Sequence, residues 1–201
     1  MWDTKDPVKT TIQGYRNSAE AYKSMRSKHG SELPALIYFV NNIKGKKVLD
    51  IWCAHGRDVW EFCKRWMSVT GIDLTPEFVT MAKEAYPEAD IQLMDMRDIK
   101  FDDYTFDGLR CWASLLHIPK EEVQQTLAWF HRILKKWGLL FLWLKEWDGE
   151  EFDERDRFFA YWQTDEIQEV LVKNNFHIQK STIVPSDTRK QARIHIFAIA
   201  V

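Results

Sequence analysis

The residues best suited to chemistry in this sequence are three aspartates, each at or near the end of a short apolar segment. Asp50 lies near the end of the first segment, Asp73 directly follows the second, and Asp95 directly follows the third. Carboxylates are rarely buried without a partner, so an acid at the end of a buried strand favours a role in binding. Asp73 is placed to accept from both hydroxyls of a ribose, as acids after the second strand do in dinucleotide-binding folds. The pattern therefore predicts a site for a ligand that contains a ribose.

The segments around these aspartates alternate between strand-like and helix-like patterns, which indicates an α/β fold. Strands are predicted at residues 47–51, 68–72, 90–94, 106–111 and 138–142, followed by a closing pair at about 176–184 and 194–200. Helices separate the first five strands, so these are parallel, whereas the closing pair is joined by a short turn and is antiparallel. We therefore predict a Rossmann-like, doubly wound, mostly parallel seven-stranded sheet with an antiparallel last strand and helices on both faces. Such sheets bind ligands beyond the carboxyl ends of the strands, where the strand order reverses.

Two helices are predicted ahead of the first strand. Apolar residues recur every three or four positions in residues 1–28, and a second helix is predicted from an N-cap at Ser31 with Pro34 in its first turn. No linker rich in Gly, Ser or Pro divides the chain. We therefore predict one domain over residues 1–201, with a helical cap at residues 1–44 and a Rossmann-like core at residues 45–201.

Composition and charge narrow the class of protein. The net charge of −2 provides no basic field that recruits nucleic acid, and no apolar run reaches the roughly 18 to 20 residues that span a bilayer. Cys53, Cys63 and Cys111 are an odd number without metal-binding spacing, which argues against a disulfide framework and against a metal site. We expect a cytoplasmic protein that acts on a small molecule. The oligomeric state stays open.

The stretch Val48-Leu-Asp-Ile-Trp-Cys-Ala-His-Gly-Arg-Asp58 resembles motif I of class I S-adenosylmethionine-dependent methyltransferases, usually Val-Leu-Asp-x-Gly-x-Gly-x-Gly. Asp50 matches the acid of that motif and Gly56 its last glycine, while Trp52 and Ala54 occupy the first two glycine positions. The resemblance is to the small-molecule type, similar to methyltransferase domains 11 and 25. It implies that Asp50 organises the loop and approaches the amino group of S-adenosylmethionine. The implied cofactor-binding loop consists of Asp50, Ile51, Trp52, Cys53, Ala54 and Gly56.

The resemblance continues from residue 45 to residue 145 in family order. It implies that Asp73 binds the ribose and that Leu74 packs on the adenine. Met94-Asp-Met-Arg97 resembles the segment in which an aspartate accepts from the adenine amino group, here Asp95 with the backbone of Met96 beside it. Phe106-Asp-Gly-Leu109 resembles the fourth strand of the family, whose continuation from Cys111 lies beside the reactive sulfonium.

Three further predictions concern the mouth of the site. His117 is the candidate catalytic base, since imidazole titrates near neutral pH, although transfer of an activated methyl group needs a base only when the acceptor must lose a proton. Tyr22 lies on the N-terminal helix, which folds over the cofactor in the family, and it faces either the ligand or the core. The acidic stretch at residues 146–161 is either a solvated loop or a lid over the acceptor.

Tryptophan stands where glycine is expected. The chain has 10 Trp and only 8 Gly. Trp52 takes a motif I glycine, and Trp66, Trp137 and Trp147 stand at turns that favour glycine, the residue without a Cβ. These are either tolerated substitutions or, in our hypothesis, glycines encoded by a reassigned opal codon. The mass of the peptide around position 52 in protein from the natural host distinguishes the two.

The sequence therefore predicts a methyltransferase that uses S-adenosylmethionine and a small-molecule acceptor. Two alternatives stay open: a non-catalytic relative that only binds the cofactor, which Trp52 makes plausible, and an oxidoreductase dependent on NAD(P), since strand-glycine-acid patterns overlap between the two folds.

Overall fold

A computed structural model of the chain describes residues 6–23, 33–185 and 191–201. The helices are α1 (Pro7–Lys23), α2 (Leu33–Asn42), α3 (Arg57–Cys63), α4 (Pro76–Ala85), α5 (Lys120–Ile133) and α6 (Thr164–Lys173), with a single 3₁₀ turn at Leu115–His117. The strands are β1 (Lys47–Ile51), β2 (Ser68–Asp73), β3 (Asp90–Leu93), β4 (Phe106–Trp112), β5 (Leu134–Glu146), β6 (Glu150–Phe152), β7 (Phe158–Ala160), β8 (Phe176–Val184) and β9 (Ala192–Ala200).

Seven of the strands form one sheet in the order β3-β2-β1-β4-β5-β9-β8. The first five are parallel to one another, and β9 runs antiparallel to both β5 and β8. The predicted fold class, a mostly parallel seven-stranded sheet with an antiparallel last strand and helices around it, is therefore confirmed. The strand order reverses between β1 and β4, so the carboxyl ends of these strands define the ligand-binding edge.

The central strands are buried on both faces. Val48 and Leu49 of β1, Leu109 of β4, and Leu140 and Leu142 of β5 have no exposed surface. Each such side chain contributes roughly 1.5 to 3 kcal/mol when it leaves water. The apolar stripe of α5, Val123, Leu127 and Phe130 with Ile133, is fully buried as its spacing predicts. A sheet covered on both sides holds the ends of β1, β2 and β4 in fixed positions.

The structure differs from the predicted elements in three places. Residues 146–161, predicted as either a solvated loop or a lid, contain a separate hairpin in which β6 pairs with β7. The strand β5 begins at Leu134 rather than at residue 138, because Leu134 pairs with Phe106 ahead of a bulge. The sequence predicts Thr164 as the N-cap of the last helix, but Thr164 is the first residue of α6, and Gln163 is the N-cap, where it forms a capping box with Glu166.

The N-terminal part of the chain is helical as predicted where it is described. The helix α1 contacts β7, α4 and the 3₁₀ turn, and α2 contacts β5. The predicted N-cap at Ser31 lies outside the described residues. Within the described ranges, no helix is long and apolar enough to cross a membrane. The division into a cap at residues 1–44 and a core at 45–201 stays a prediction.

Three of the four tryptophans at expected glycine positions have left-handed backbone. The φ angles are 64° at Trp52, 58° at Trp66 and 67° at Trp137. A bulky side chain rarely adopts this region, and doing so costs of order 1 to 3 kcal/mol. Trp147 does not share this conformation, and Gly149 in the same turn takes it instead, with a φ of 80°. The expectation of a glycine-type backbone is therefore confirmed at three positions and wrong at Trp147.

Candidate functional site

The loop after β1 coils tightly at the edge where the strand order reverses. Trp52, Ala54 and Gly56 all have positive φ angles, of 64°, 48° and 83°. The Cys53 N–H donates to the Ile72 carbonyl at 2.9 Å, which joins the loop to the end of β2. A Cβ at Gly56 would lie 2.7 Å from the ring of Tyr86. This position therefore needs glycine for both space and backbone conformation, as motif I requires.

Asp73 fixes the loop to the end of β2. Its Oδ2 accepts from the Ala54 N–H at 2.9 Å and its Oδ1 from the Thr75 N–H at 2.7 Å. Burial raises the pKa of this carboxyl to about 6, against the lowering effect of the two backbone hydrogen bonds. A carboxylate oxygen has two lone pairs, so both oxygens can also accept from a ligand. Asp73 thus shapes the loop and offers acceptors at its rim.

Asp50 is almost fully buried near the end of β1 and has one unused acceptor. Its Oδ1 accepts from Nη1 of Arg110 at 3.2 Å, while its buried Oδ2 accepts no hydrogen bond from the described residues. Burial raises the pKa of Asp50 to about 7; Arg110 lowers it and the neighbouring Asp58 raises it. An unpaired carboxylate oxygen in the interior is costly, so Oδ2 is suited to a cationic hydrogen-bond donor.

Arg110 is a residue that sequence reasoning missed. It is 1% exposed, and its Nη1 also pairs with Oδ2 of Asp58 at 2.7 Å, while Arg57 pairs with the same carboxylate at 3.1 Å. The result is a chain of alternating charges from Asp50 to Arg57. One signal was available in the sequence: an arginine in the middle of the apolar fourth strand, which pairs with the first.

The nucleoside side of the site is nearly closed. A cavity of only about 10 Å³ lies among Trp52, Ile72, Asp73, Leu74, Met94, Asp95 and Met96. This is about the space of a single water molecule. Five of the predicted cofactor-binding residues do meet here, namely Trp52, Asp73, Leu74, Asp95 and Met96. Trp52 is one wall of this side, and its ring lies against those of Tyr15 and His117, at centroid distances of 5.8 and 5.1 Å.

Asp95 has a partner that the sequence did not predict. Nη2 and Nε of Arg97 lie 2.8 and 3.0 Å from its Oδ2, and the Arg97 N–H donates to its Oδ1 at 2.9 Å. Arg97 also pairs with Asp6 and Glu122. Asp95 is therefore held in place by a shared arginine, and its contact with adenine stays a prediction.

The other side of the site is open. A cavity of about 300 Å³ is lined by Tyr15, Tyr22, Trp52, Cys53, Ala54, His55, Arg57, Asp58, Phe78, Arg110, Trp112, Ala113 and Trp143. Trp52 therefore lines both cavities and separates them. Tyr22 lies in this wall with its ring against Phe78, at a centroid distance of 5.6 Å. The predicted position of Tyr22 at the mouth agrees with this geometry.

Three of the residues predicted to contact the cofactor have little exposed surface. Ile51, Cys53 and Cys111 are buried. Burial raises the pKa of Cys53 and raises that of Cys111 to about 12, so both thiols are neutral. Cys111 Sγ lies 3.0 Å from Oγ of Ser114. Contact between these residues and a cofactor stays a prediction.

His117 is buried and hydrogen-bonded through both ring nitrogens. Nδ1 lies 2.5 Å from the Phe158 carbonyl, which only accepts, so Nδ1 carries the proton. Nε2 then accepts from the Tyr15 hydroxyl at 2.9 Å. Burial lowers the pKa of His117 to about 3, opposed by the hydrogen bond to Phe158. The ring is therefore neutral at physiological pH and joins α1 to β7.

The acidic stretch packs against α1 next to this side of the site. The Phe158 N–H donates to Oγ1 of Thr11 on α1 at 2.8 Å. Phe159 and Tyr161 are stacked, with ring planes 7° apart, and Phe158, Phe159 and Tyr161 are all buried. The predicted alternative of a fully solvated loop is therefore wrong for the second half of the stretch, where the aromatic side chains pack inward.

A larger groove lies beside the site rather than in it. This groove of about 820 Å³ is open and contains no residue of the β1 loop. Its walls include Asp6, Glu121, Glu122 and Asp156, with Phe158 at its edge. The smaller pair of cavities is the better candidate site, because the strained loop and the buried acids meet there.

Comparison with known proteins agrees with this placement. Residues 48–138 match the sequence profile of the family described as "Methyltransferase domain". A ubiquinone biosynthesis O-methyltransferase of Actinobacillus pleuropneumoniae serotype 7 is 31% identical over 113 residues, which cover 50% of this chain and 46% of the relative. The chain spans less than half the length of the curated relatives it matches.

Solved structures show the same fold. The 1,6-didemethyltoxoflavin-N1-methyltransferase of Burkholderia thailandensis, with bound 1,6-didemethyltoxoflavin and S-adenosylhomocysteine, superimposes with a TM-score of 0.80 at 20% identity, covering 96% of this chain and 88% of that one. The magnesium protoporphyrin IX methyltransferase of Synechocystis, with bound S-adenosylmethionine, gives a TM-score of 0.76 at 15% identity and covers 100% of both chains. Residues 48–138 therefore match a methyltransferase domain, and the chain has the fold of S-adenosylmethionine-dependent methyltransferases.

Proposed function

We propose that this protein transfers a methyl group from S-adenosylmethionine to a small-molecule acceptor. The observation that carries the proposal is the β1 loop: it lies inside the matched family segment, Asp73 fixes its backbone, and its acid Asp50 has a buried oxygen without a partner. Such an oxygen fits a ligand with a cationic amino group, and the cofactor carries one at its methionine end.

The polar groups of the site fit the cofactor from end to end. In the proposed complex Asp50 accepts from the ammonium group, Asp73 from the ribose hydroxyls, and Asp95 from the adenine amino group beside the Met96 backbone. Leu74 packs on the adenine. The remaining contacts come from Ile51, Trp52, Cys53, Ala54, Gly56, Cys111 and Tyr22. The space on the nucleoside side does not fit in the observed orientation of Trp52, since about 10 Å³ holds no adenine ring.

The cofactor when bound supplies a methyl group on a sulfonium, which is already activated for displacement. The protein therefore has to position the acceptor and exclude water rather than generate a strong nucleophile. His117 is neutral and hydrogen-bonded at both ring nitrogens. This supports a positioning role, in which His117 holds Tyr15 of α1 and Phe158 of β7 together. A role for His117 as a base stays a prediction.

The small-molecule acceptor is supported by the relatives. Those with named substrates include ubiquinone biosynthesis O-methyltransferases and enzymes of toxoflavin and magnesium protoporphyrin. The open cavity of about 300 Å³ is at the lower end of the range for small-ligand pockets. Its walls include several aromatic residues: Tyr15, Tyr22, Phe78, Trp112 and Trp143. The net charge of −2 favours neither nucleic acid nor an acidic membrane surface. Three free cysteines agree with a cytoplasmic location.

Methyl transfer from labelled S-adenosylmethionine to a pool of small-molecule metabolites tests the proposal. We expect label in a small product, and loss of that label in the Asp50→Asn variant, which removes the charge that pairs with the ammonium group. Binding of S-adenosylhomocysteine without any turnover favours the non-catalytic alternative. Binding of NAD(P)H in its place contradicts the proposal.

A further inference from the structure

Arg110 is joined to Asp50 inside the sheet. The two residues are paired in register across β1 and β4, and both are almost fully buried. Nη1 of Arg110 lies 3.2 Å from Oδ1 of Asp50 and 2.7 Å from Oδ2 of Asp58. The guanidinium also lies over the ring of Trp112, with 4.9 Å to the ring centroid. This packing leaves Arg110 little freedom to move away from Asp50.

Asp50 depends on this arginine for its charge. A buried carboxyl without a compensating partner takes up a proton instead of staying ionised. Among the described residues, the Arg110 side chain is the hydrogen-bond donor to the Asp50 carboxylate. A protonated Asp50 cannot form a charge-assisted hydrogen bond with an ammonium group. The charge on Asp50 therefore decides how well the amino-acid end of a ligand is held.

We propose that Arg110 is a positioning residue for cofactor binding, which keeps Asp50 ionised and holds its Oδ1, so that Oδ2 accepts from the ammonium group of the cofactor. This inference rests on the proposed function. Arg110 lines the open cavity, but in this account its effect on the ligand is exerted through Asp50. It acts through Asp50, whereas Asp58 and Arg57 complete the neutral charge chain behind it.

The inference has a defined pH dependence. The groups that influence the charge on Asp50 are Arg110 from β4 and Asp58 and Arg57 from α3, and the nearby thiols of Cys53 and Cys111 are neutral. Burial raises the pKa of Asp50 to about 7 even with Arg110 present. An acid with a raised pKa is charged only above that value, so binding of an ammonium group strengthens as the pH rises through about 7. Loss of Arg110 moves this midpoint to higher pH.

Calorimetric titration of the full chain with two ligands tests the inference. S-adenosylhomocysteine carries the ammonium group, and 5′-methylthioadenosine has the same nucleoside without it. Between pH 6 and 8 we expect wild-type affinity for S-adenosylhomocysteine to rise, by up to about tenfold per pH unit while Asp50 is mostly protonated. In Arg110→Met we expect a loss of about tenfold or more at pH 7 and a higher midpoint. Arg110→Lys, which keeps the charge, restores most of the affinity. At each pH we expect 5′-methylthioadenosine to bind equally well to the wild type and to both variants.

An unchanged midpoint in Arg110→Met, or an equal loss for both ligands, overturns the inference. If Arg110→Met does not fold, Asp50→Asn/Arg110→Met removes the unpaired charge, and we expect it to bind both ligands with the same pH dependence, because both contact Asp73 through the ribose. A stronger pH dependence for S-adenosylhomocysteine than for 5′-methylthioadenosine in that double variant also overturns the inference. If Trp52 blocks binding, the same titrations are carried out with each variant in a Trp52→Gly background. Failure to bind either ligand in both backgrounds contradicts the proposed function itself, and the inference with it.

Discussion

The two halves of the candidate site differ in how much room they leave. The half beside Arg110 and Asp58 contains a cavity of about 300 Å³, whereas the half beside Asp73 contains about 10 Å³. Trp52 is a wall of both, and its left-handed backbone is of the kind that favours glycine. The fold therefore places polar groups in both halves, and Trp52 is the residue that the two halves share.

The halves differ also in how their acids are satisfied. Asp73 uses both oxygens on backbone N–H groups, and Asp95 is held by Arg97. Asp50 has an oxygen with no partner among the described residues. The acids of the nucleoside half thus have hydrogen-bond partners without a ligand, whereas Asp50 has one oxygen that lacks a partner among the described residues. An acid that fixes backbone should matter for stability, and an acid with a free oxygen should matter for binding.

The largest effect is expected from Asp73→Ala. This change leaves the N–H groups of Ala54 and Thr75 without their acceptor, and each unsatisfied buried donor costs about 1 to 3 kcal/mol. We expect urea denaturation to show a loss of roughly 2 to 4 kcal/mol in the free energy of unfolding. Asp98→Ala is the matched control, because Asp98 forms only an exposed pair with Lys100, and we expect less than about 1 kcal/mol there. Equal effects of the two changes would show that Asp73 does not hold the loop.

A smaller effect is expected from Trp66→Gly. Trp66 combines a φ of 58° with a side chain that is 83% exposed, so its removal relieves strain and loses little packing. We expect a gain of about 1 kcal/mol in the free energy of unfolding. Trp147→Gly is the matched control, because Trp147 is 49% exposed but lacks the left-handed backbone, and we expect no gain there. Stabilisation by both changes, or by neither, contradicts a strain that is specific to the left-handed positions.

The hypothesis of glycines encoded by a reassigned codon stays a prediction. The backbone at Trp52, Trp66 and Trp137 supports it, since three of these bulky residues occupy a conformation typical of glycine. Trp147 gives it no support. If the tryptophans are instead tolerated substitutions, the fold accommodates backbone strain at all three positions.

The fold could be predicted from the sequence largely because strand and helix patterns alternate with clear periodicity. The acids of the site could be predicted because each lies at or just beyond the end of a strand, and the sheet brings these ends to a common edge. The roles of Arg110 and Arg97 could not, since their partners lie 60 and 91 residues away in Asp50 and Asp6. The hairpin of β6 and β7 was missed because charged residues obscure its short strands, and its packing depends on contact with α1.

Calorimetric titration of S-adenosylhomocysteine into the wild-type chain and the Trp52→Gly variant tests the central claim most directly. We expect Trp52→Gly to bind at least about tenfold more tightly, because the indole no longer fills the space that the nucleoside needs. We expect the same gain for 5′-methylthioadenosine, which carries only the nucleoside end. Equal affinity of the two proteins for S-adenosylhomocysteine would contradict the account.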